Sequence, residues 1–100
     1  MRLLVVLTAA RRDISDVCSW YQSRRVQTSH AFRADVAAAI ELIALDPLKW
    51  ACVEGNIHRY LLKRFPFTVF CDVTETRVRV LAVAHQRRRE AFWKERIPGS

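Results

Sequence analysis

The stretch Phe67-Thr68-Val69-Phe70-Cys71-Asp72-Val73-Thr74-Glu75-Thr76-Arg77-Val78-Arg79-Val80-Leu81-Ala82-Val83-Ala84 decides the fold. Phe67, Val69, Cys71 and Val73 alternate with Thr68, Phe70 and Asp72. Val78, Val80, Ala82 and Ala84 alternate with Arg77, Arg79, Leu81 and Val83. A period of two marks strands with two distinguishable faces, and Thr74-Glu75-Thr76 supplies a turn between them. Pairing Val73 with Val78 puts Cys71 opposite Val80, Val69 opposite Ala82 and Phe67 opposite Ala84. The other face then pairs Asp72 with Arg79, Phe70 with Leu81 and Thr68 with Val83. This register satisfies both faces, and a slip of one residue would destroy it.

His58 to Arg64 reads as a preceding strand, separated from the hairpin by Phe65-Pro66. Its cations lie on both faces, Arg59 and Lys63 on one and Arg64 on the other, so one side is expected to meet a polar partner. Residues 48–56 read as a loop with Trp50 tucked against the core. Upstream the period is that of a helix. Ala10, Ile14, Val17, Cys18 and Tyr21 share one face of a helix capped by Thr8 and running to about Arg24. Phe32, Val36, Ala39, Ile40 and Ile43 form the stripe of a second, with Thr28 and Ser29 as candidate caps. Ala38, Leu42 and Leu45 widen that stripe, predicting a deeply embedded helix. Asp46-Pro47 ends it, because the residue before proline avoids the helical region. Arg2 to Leu7 is an apolar opening strand, and a short helix is expected from about Arg89 to Arg96. The expected fold is α+β in the order β-α-α-β-β-β. It comprises a small, mainly antiparallel sheet with a helical hairpin on one face, in a single domain over residues 1–100.

Composition narrows the function. Seventeen Lys and Arg face ten Asp and Glu, for a net charge of +7, and fourteen of those cations are Arg. Residues 1–55 carry a net +1 and residues 56–100 a net +6. A basic half on a small chain points to an anionic partner such as nucleic acid, an acidic protein segment or a membrane surface. Arginine dominance favours bidentate recognition of phosphate or carboxylate. No apolar run approaches the ~20 residues of a membrane-spanning helix, and the apolar opening is too short for a signal peptide. Cys18, Cys52 and Cys71 are odd in number and far apart, as in a reducing cytosol, so a cytoplasmic location is expected. No metal is expected, because His30, His58 and His85 have no second ligand at zinc spacing. No cofactor is expected, because Gly55 and Gly99 cannot make a phosphate-cradling loop.

Chemistry concentrates at the end, His85-Gln86-Arg87-Arg88-Arg89-Glu90-Ala91-Phe92-Trp93-Lys94-Glu95-Arg96. Clustered guanidiniums with interleaved aromatics suit RNA or single-stranded nucleic acid. His85 is the natural general acid or base, and Arg64, Arg87 and Arg88 can meet developing phosphate charge. Plain structural roles compete for each residue: a hydrogen-bonded histidine at a strand end, a solvated Arg face, and Phe92 and Trp93 packing the last helix. Arg59 and Arg79 can equally pair with Asp72 or Glu75 across strands.

In this order and spacing the chain resembles the RelE/ParE superfamily of type II toxins. The opening strand with Thr8-Ala9-Ala10-Arg11-Arg12-Asp13-Ile14 resembles its first-helix signature, and Asp46-Pro47 its second-helix end. Arg59 and Arg64-Phe65-Pro66-Phe67 with Val69 resemble the lead into the next strand. Val80-Leu81-Ala82-Val83-Ala84-His85-Gln86-Arg87-Arg88, Trp93 and Arg96 resemble its close. The chain departs from the common pattern at Phe67, Cys71 and Ala91, where Tyr, Tyr and Pro are frequent.

The resemblance implies a cognate antitoxin as partner, in a toxin–antitoxin hetero-oligomer. It also implies one of two targets, DNA gyrase for the ParE-like branch or the ribosome and its mRNA for the RelE-like branch. The nucleases typically carry paired lysines before Phe-Pro and a catalytic Tyr near the end. Here that strand reads His58-Arg59-Tyr60-Leu61-Leu62-Lys63-Arg64, and Phe92 stands near the Tyr position. The expected reading is therefore ParE-like inhibition of gyrase, with a metal-independent endoribonuclease using His85, Arg64 and Arg87 as the alternative. The expected target- or anion-binding set is Arg59, Arg64, Arg87, Arg88, Arg89, Trp93 and Arg96.

Overall fold

A computed structural model describes residues 2–88 and 90–97. Strand β1 (Leu3–Val6) leads into helices α1 (Thr8–Gln22) and α2 (Val26–Leu45). A 3-10 turn (Pro47–Lys49) then precedes β2 (Ala51–Glu54), β3 (Ile57–Leu61), β4 (Phe67–Val73) and β5 (Arg77–His85), and a 3-10 segment spans Glu90–Arg96. The strands form one sheet in the order β1-β5-β4-β3-β2. β1 runs parallel to β5, and every other neighbour is antiparallel. The α+β fold and its mainly antiparallel sheet match expectation. The stretch read as a loop supplies an extra edge strand, β2, too short to show a period. It pairs with β3 through a turn at Gly55, whose φ of +52° suits a residue without a Cβ.

The helical hairpin packs on one face of the sheet through the expected stripes. Ala10, Cys18, Phe32, Val36, Ala39 and Ile43 are buried there against Val69, Cys71, Val78 and Val80. Its ends differ from expectation. Thr8 lies inside the first turn, with Leu7 at the N-cap and no side-chain cap. α2 starts at Val26, before Thr28 and Ser29, because Arg24 and Arg25 amides already bond back to the Tyr21 carbonyl and tighten the connection. Ser29 is instead buried, and its hydroxyl donates to the Cys18 carbonyl at 2.9 Å, tying the helices together. Asp46 ends α2 with φ −151°, as the following proline requires. The widened stripe is a correction: Ala38, Leu42 and Leu45 are exposed, Leu45 at 82%. They flank the buried stripe of α2 rather than extend it.

The β4–β5 register is as expected from Val73↔Val78 through Asp72↔Arg79 to Cys71↔Val80. There it breaks. Leu81 is an extra residue on β5, so the next pairs are Phe70↔Ala82, Val69↔Val83, Thr68↔Ala84 and Phe67↔His85. The bulge moves Val83 to the helix-facing core. Leu81 keeps its expected face, and the bulge sends Ala82 and Ala84 there as well, beneath Trp93. The small alanines leave room for that indole, which lies tilted 6.5 Å from the Phe70 ring. Both faces of β4 and β5 are thus buried, one by helices and one by the terminal 3-10 segment.

Candidate functional site

The β3–β4 connection and the end of β5 meet at one end of the sheet. Phe67 opens β4 directly opposite His85, the last residue of β5, and their rings stand edge to face at 5.2 Å. Behind them a run of rings reaches the helices: Phe32 lies 5.2 Å from Phe67 and 5.3 Å from Phe65, and Tyr21 lies 5.4 Å from Phe65. This brings the tip of the helical hairpin beside the same end. There the Arg24 guanidinium stacks 3.7 Å above the Trp20 ring, a contact legible in their i, i+4 spacing.

His85 is exposed, and its orientation is set by the turn that follows. Its Nδ1 accepts the Arg87 amide at 3.1 Å, and its carbonyl accepts the Arg88 amide at 2.8 Å. An accepting Nδ1 carries no proton, so the ring proton of this tautomer sits on Nε2. The Gln86 amide donates to the Pro66 carbonyl at 2.8 Å, fastening this turn to the β3–β4 connection. Arg87 and Arg88 are exposed beside it.

Arg64 reaches across to α2. Its Nε donates to Asp35 Oδ2 at 3.0 Å and its Nη2 to Oδ1 at 2.5 Å. The Arg64 hydrogen bonds, and then its charge, hold the Asp35 carboxyl below the usual carboxylate range against a partial desolvation. The same pair raises Arg64, whose side chain remains 67% exposed. Asp35, Lys63 and Arg64 line a groove of about 300 Å³ together with Ala38 and Leu42 of α2 and Tyr60 and Leu62.

The structure therefore brings His85, Arg87, Arg88 and Arg64 to one end. Arg59 stands elsewhere, mid-strand on β3 opposite Phe70 and on the face away from the helices. Trp93 is 2% exposed and packs against the sheet. Arg96 is engaged with Asp13, its Nη1 and Nη2 meeting the two carboxylate oxygens at 2.9 and 3.1 Å. Arg89 lies outside the described residues. Arg79 pairs with Asp72 across β4 and β5, one of the structural roles open to it. Asp35 and Asp13 lie 29 and 83 residues from Arg64 and Arg96, beyond the reach of any local spacing rule.

Among the described residues no cluster of His, Cys, Asp and Glu could hold a metal ion. None of their helices is long and apolar enough to cross a membrane. A helical hairpin on one face of a small mixed sheet is the fold that the periodicity of the sequence predicts. A chain in the solved structure described as "Chromosomal ParDE TA system from P. aeruginosa" has this fold. The TM-score is 0.75 over 85% of this chain and 96% of that one, at 15% sequence identity. No family model and no curated protein sequence matches the chain.

Proposed function

We propose that this chain is the toxin of a type II toxin–antitoxin pair. In this reading it is a ParE-like growth inhibitor that acts on DNA gyrase in the cytoplasm and is neutralised by a cognate antitoxin in a hetero-oligomer. The observation that carries the reading is the fold shared with a ParDE chain across most of both chains. Two features of the basic end support the ParE-like branch over a nuclease. The His85 Nδ1, which a carboxylate orients in many acid–base sites, is taken by the Arg87 amide. Arg64, the second member of the candidate catalytic set, is spent bidentately on Asp35. Exposed Arg87 and Arg88 then serve as binding charges, suited to an acidic protein surface or phosphate.

The alternative is a RelE-like, metal-independent endoribonuclease acting on ribosome-bound mRNA. It draws on the exposed His85 with its proton on Nε2, beside Arg87. One experiment separates the two. Purified chain is added to a gyrase supercoiling reaction and to a translation reaction, and the cells expressing it are followed with and without the neighbouring reading frame. Stalled supercoiling, intact mRNA and growth arrest relieved by the neighbour are the expected results. Codon-specific mRNA cuts that vanish in His85→Ala or Arg64→Ala would overturn the gyrase reading.

A further inference from the structure

The end of β5 is held by contacts that β1 does not make. β1 stops at Val6, and the Leu7 amide, donating to the Val80 carbonyl at 3.1 Å, closes its pairing with β5. Past that point the Leu81 bulge turns a carbonyl and an amide toward the open edge of the sheet. Both find partners from far away in the chain. Asp13 Oδ2, on α1, accepts the Val83 amide at 3.0 Å, and Arg96 Nη1 donates to the Leu81 carbonyl at 3.2 Å. Arg96 also grips both oxygens of Asp13. One carboxylate, 15% exposed, thus joins α1, β5 and the terminal segment through charge-assisted hydrogen bonds.

The bulge has a consequence for the basic end. In the uninterrupted register Ala84 would lie opposite Phe67, and His85 would emerge on the face that Trp93 covers. With the bulge, His85 lies opposite Phe67 on the helix side, beside the β3–β4 connection that carries Arg64. We infer that Asp13 is the positioning residue of this end. By acting as the acceptor for Val83 past the end of β1, it selects the bulged register and so the face on which His85 and the turn to Arg88 stand. The inference rests on the proposed function only for the importance of that face.

The test uses the full, isotopically labelled chain and needs no toxicity assay, so it stands or falls apart from the toxin reading. Asp13→Asn keeps an oxygen for the Val83 amide; Asp13→Leu has none. Asp13→Leu is expected to speed Val83 amide exchange by at least about tenfold. It should also lose the cross-strand nuclear Overhauser contact between Phe67 and His85, while the α2 amides keep their protection. Asp13→Asn is expected to retain both signals. A folded Asp13→Leu chain that keeps both, or an Asp13→Asn chain that loses both, overturns the inference. So does an unprotected Val83 amide in the wild-type chain, whatever the variants do.

Discussion

Arg64 and Asp35 hold each other by two parallel hydrogen bonds, joining the β3–β4 connection to the middle of α2. The pair anchors a mostly exposed guanidinium at the basic end, so its charge is presented from a fixed position. Its carboxylate also carries a pH signature. Because Arg64 lowers the Asp35 value, the stabilisation is present above the ordinary carboxylate value of 3.8 and is lost as pH falls through the lowered one. Denaturant melts of wild type and Asp35→Asn should differ at neutral pH and converge in acid. A difference that persists undiminished at the lowest pH would contradict this assignment.

Phe32 is fully buried where the helices meet the rings of Phe65 and Phe67. Phe32→Ala should cost about 3–5 kcal/mol, the range for emptying a buried phenylalanine site. Urea unfolding of the two chains measures it, and a loss below about 1 kcal/mol would show that this junction collapses to fill the space.

Cysteine reactivity should split sharply. Burial, and then the charge of Asp72, push the Cys71 thiol up from 9.0 to about 12, and Cys18 is buried as well. Cys52 is exposed on the edge strand β2. Alkylation of the native chain at neutral pH should add one label, at Cys52, as read by peptide mass mapping. A raised thiol value means that stability is full below 9.0 and falls as pH climbs toward about 12, because only the unfolded thiol ionises easily in that window. Cys71→Ala should flatten this alkaline decline.

Charge and imidazole make separable contributions at the basic end if the target is gyrase. Reversing both exposed charges, Arg87→Glu with Arg88→Glu, should weaken gyrase inhibition at least about tenfold by removing charge complementarity. His85→Gln should leave inhibition within about threefold, because no proton transfer is required of it. Equal losses in both variants, seen in a supercoiling titration, would count against this division.

Much of this molecule was legible from local pattern. The helix stripes from Ala10 to Tyr21 and from Phe32 to Ile43, the stop at Asp46-Pro47, and the Val73↔Val78 and Asp72↔Arg79 pairs all follow from periodicity and charge. The register is readable there because Asp72 and Arg79 label one face. Beyond Cys71 no label remains: Val80-Leu81-Ala82-Val83-Ala84 is apolar throughout and every residue is buried. A slip by one residue then costs little in hydrophobic terms, and alternation alone cannot show an extra residue.

Local pattern is enough to read the two helices and their apolar faces, the opening strand, the last three strands and the gathering of positive charge toward the last of them. Where that charge is presented, and that residues 51–54 form an edge strand, depends on contacts between distant segments. The Leu81 bulge put His85 opposite Phe67, and distant carboxylates on the helices claimed Arg64 and Arg96. The physical reason is range. A strand or helix period is written in residues a few positions apart, whereas a bulge and an ion pair between segments are settled by which groups the finished packing leaves within hydrogen-bonding distance.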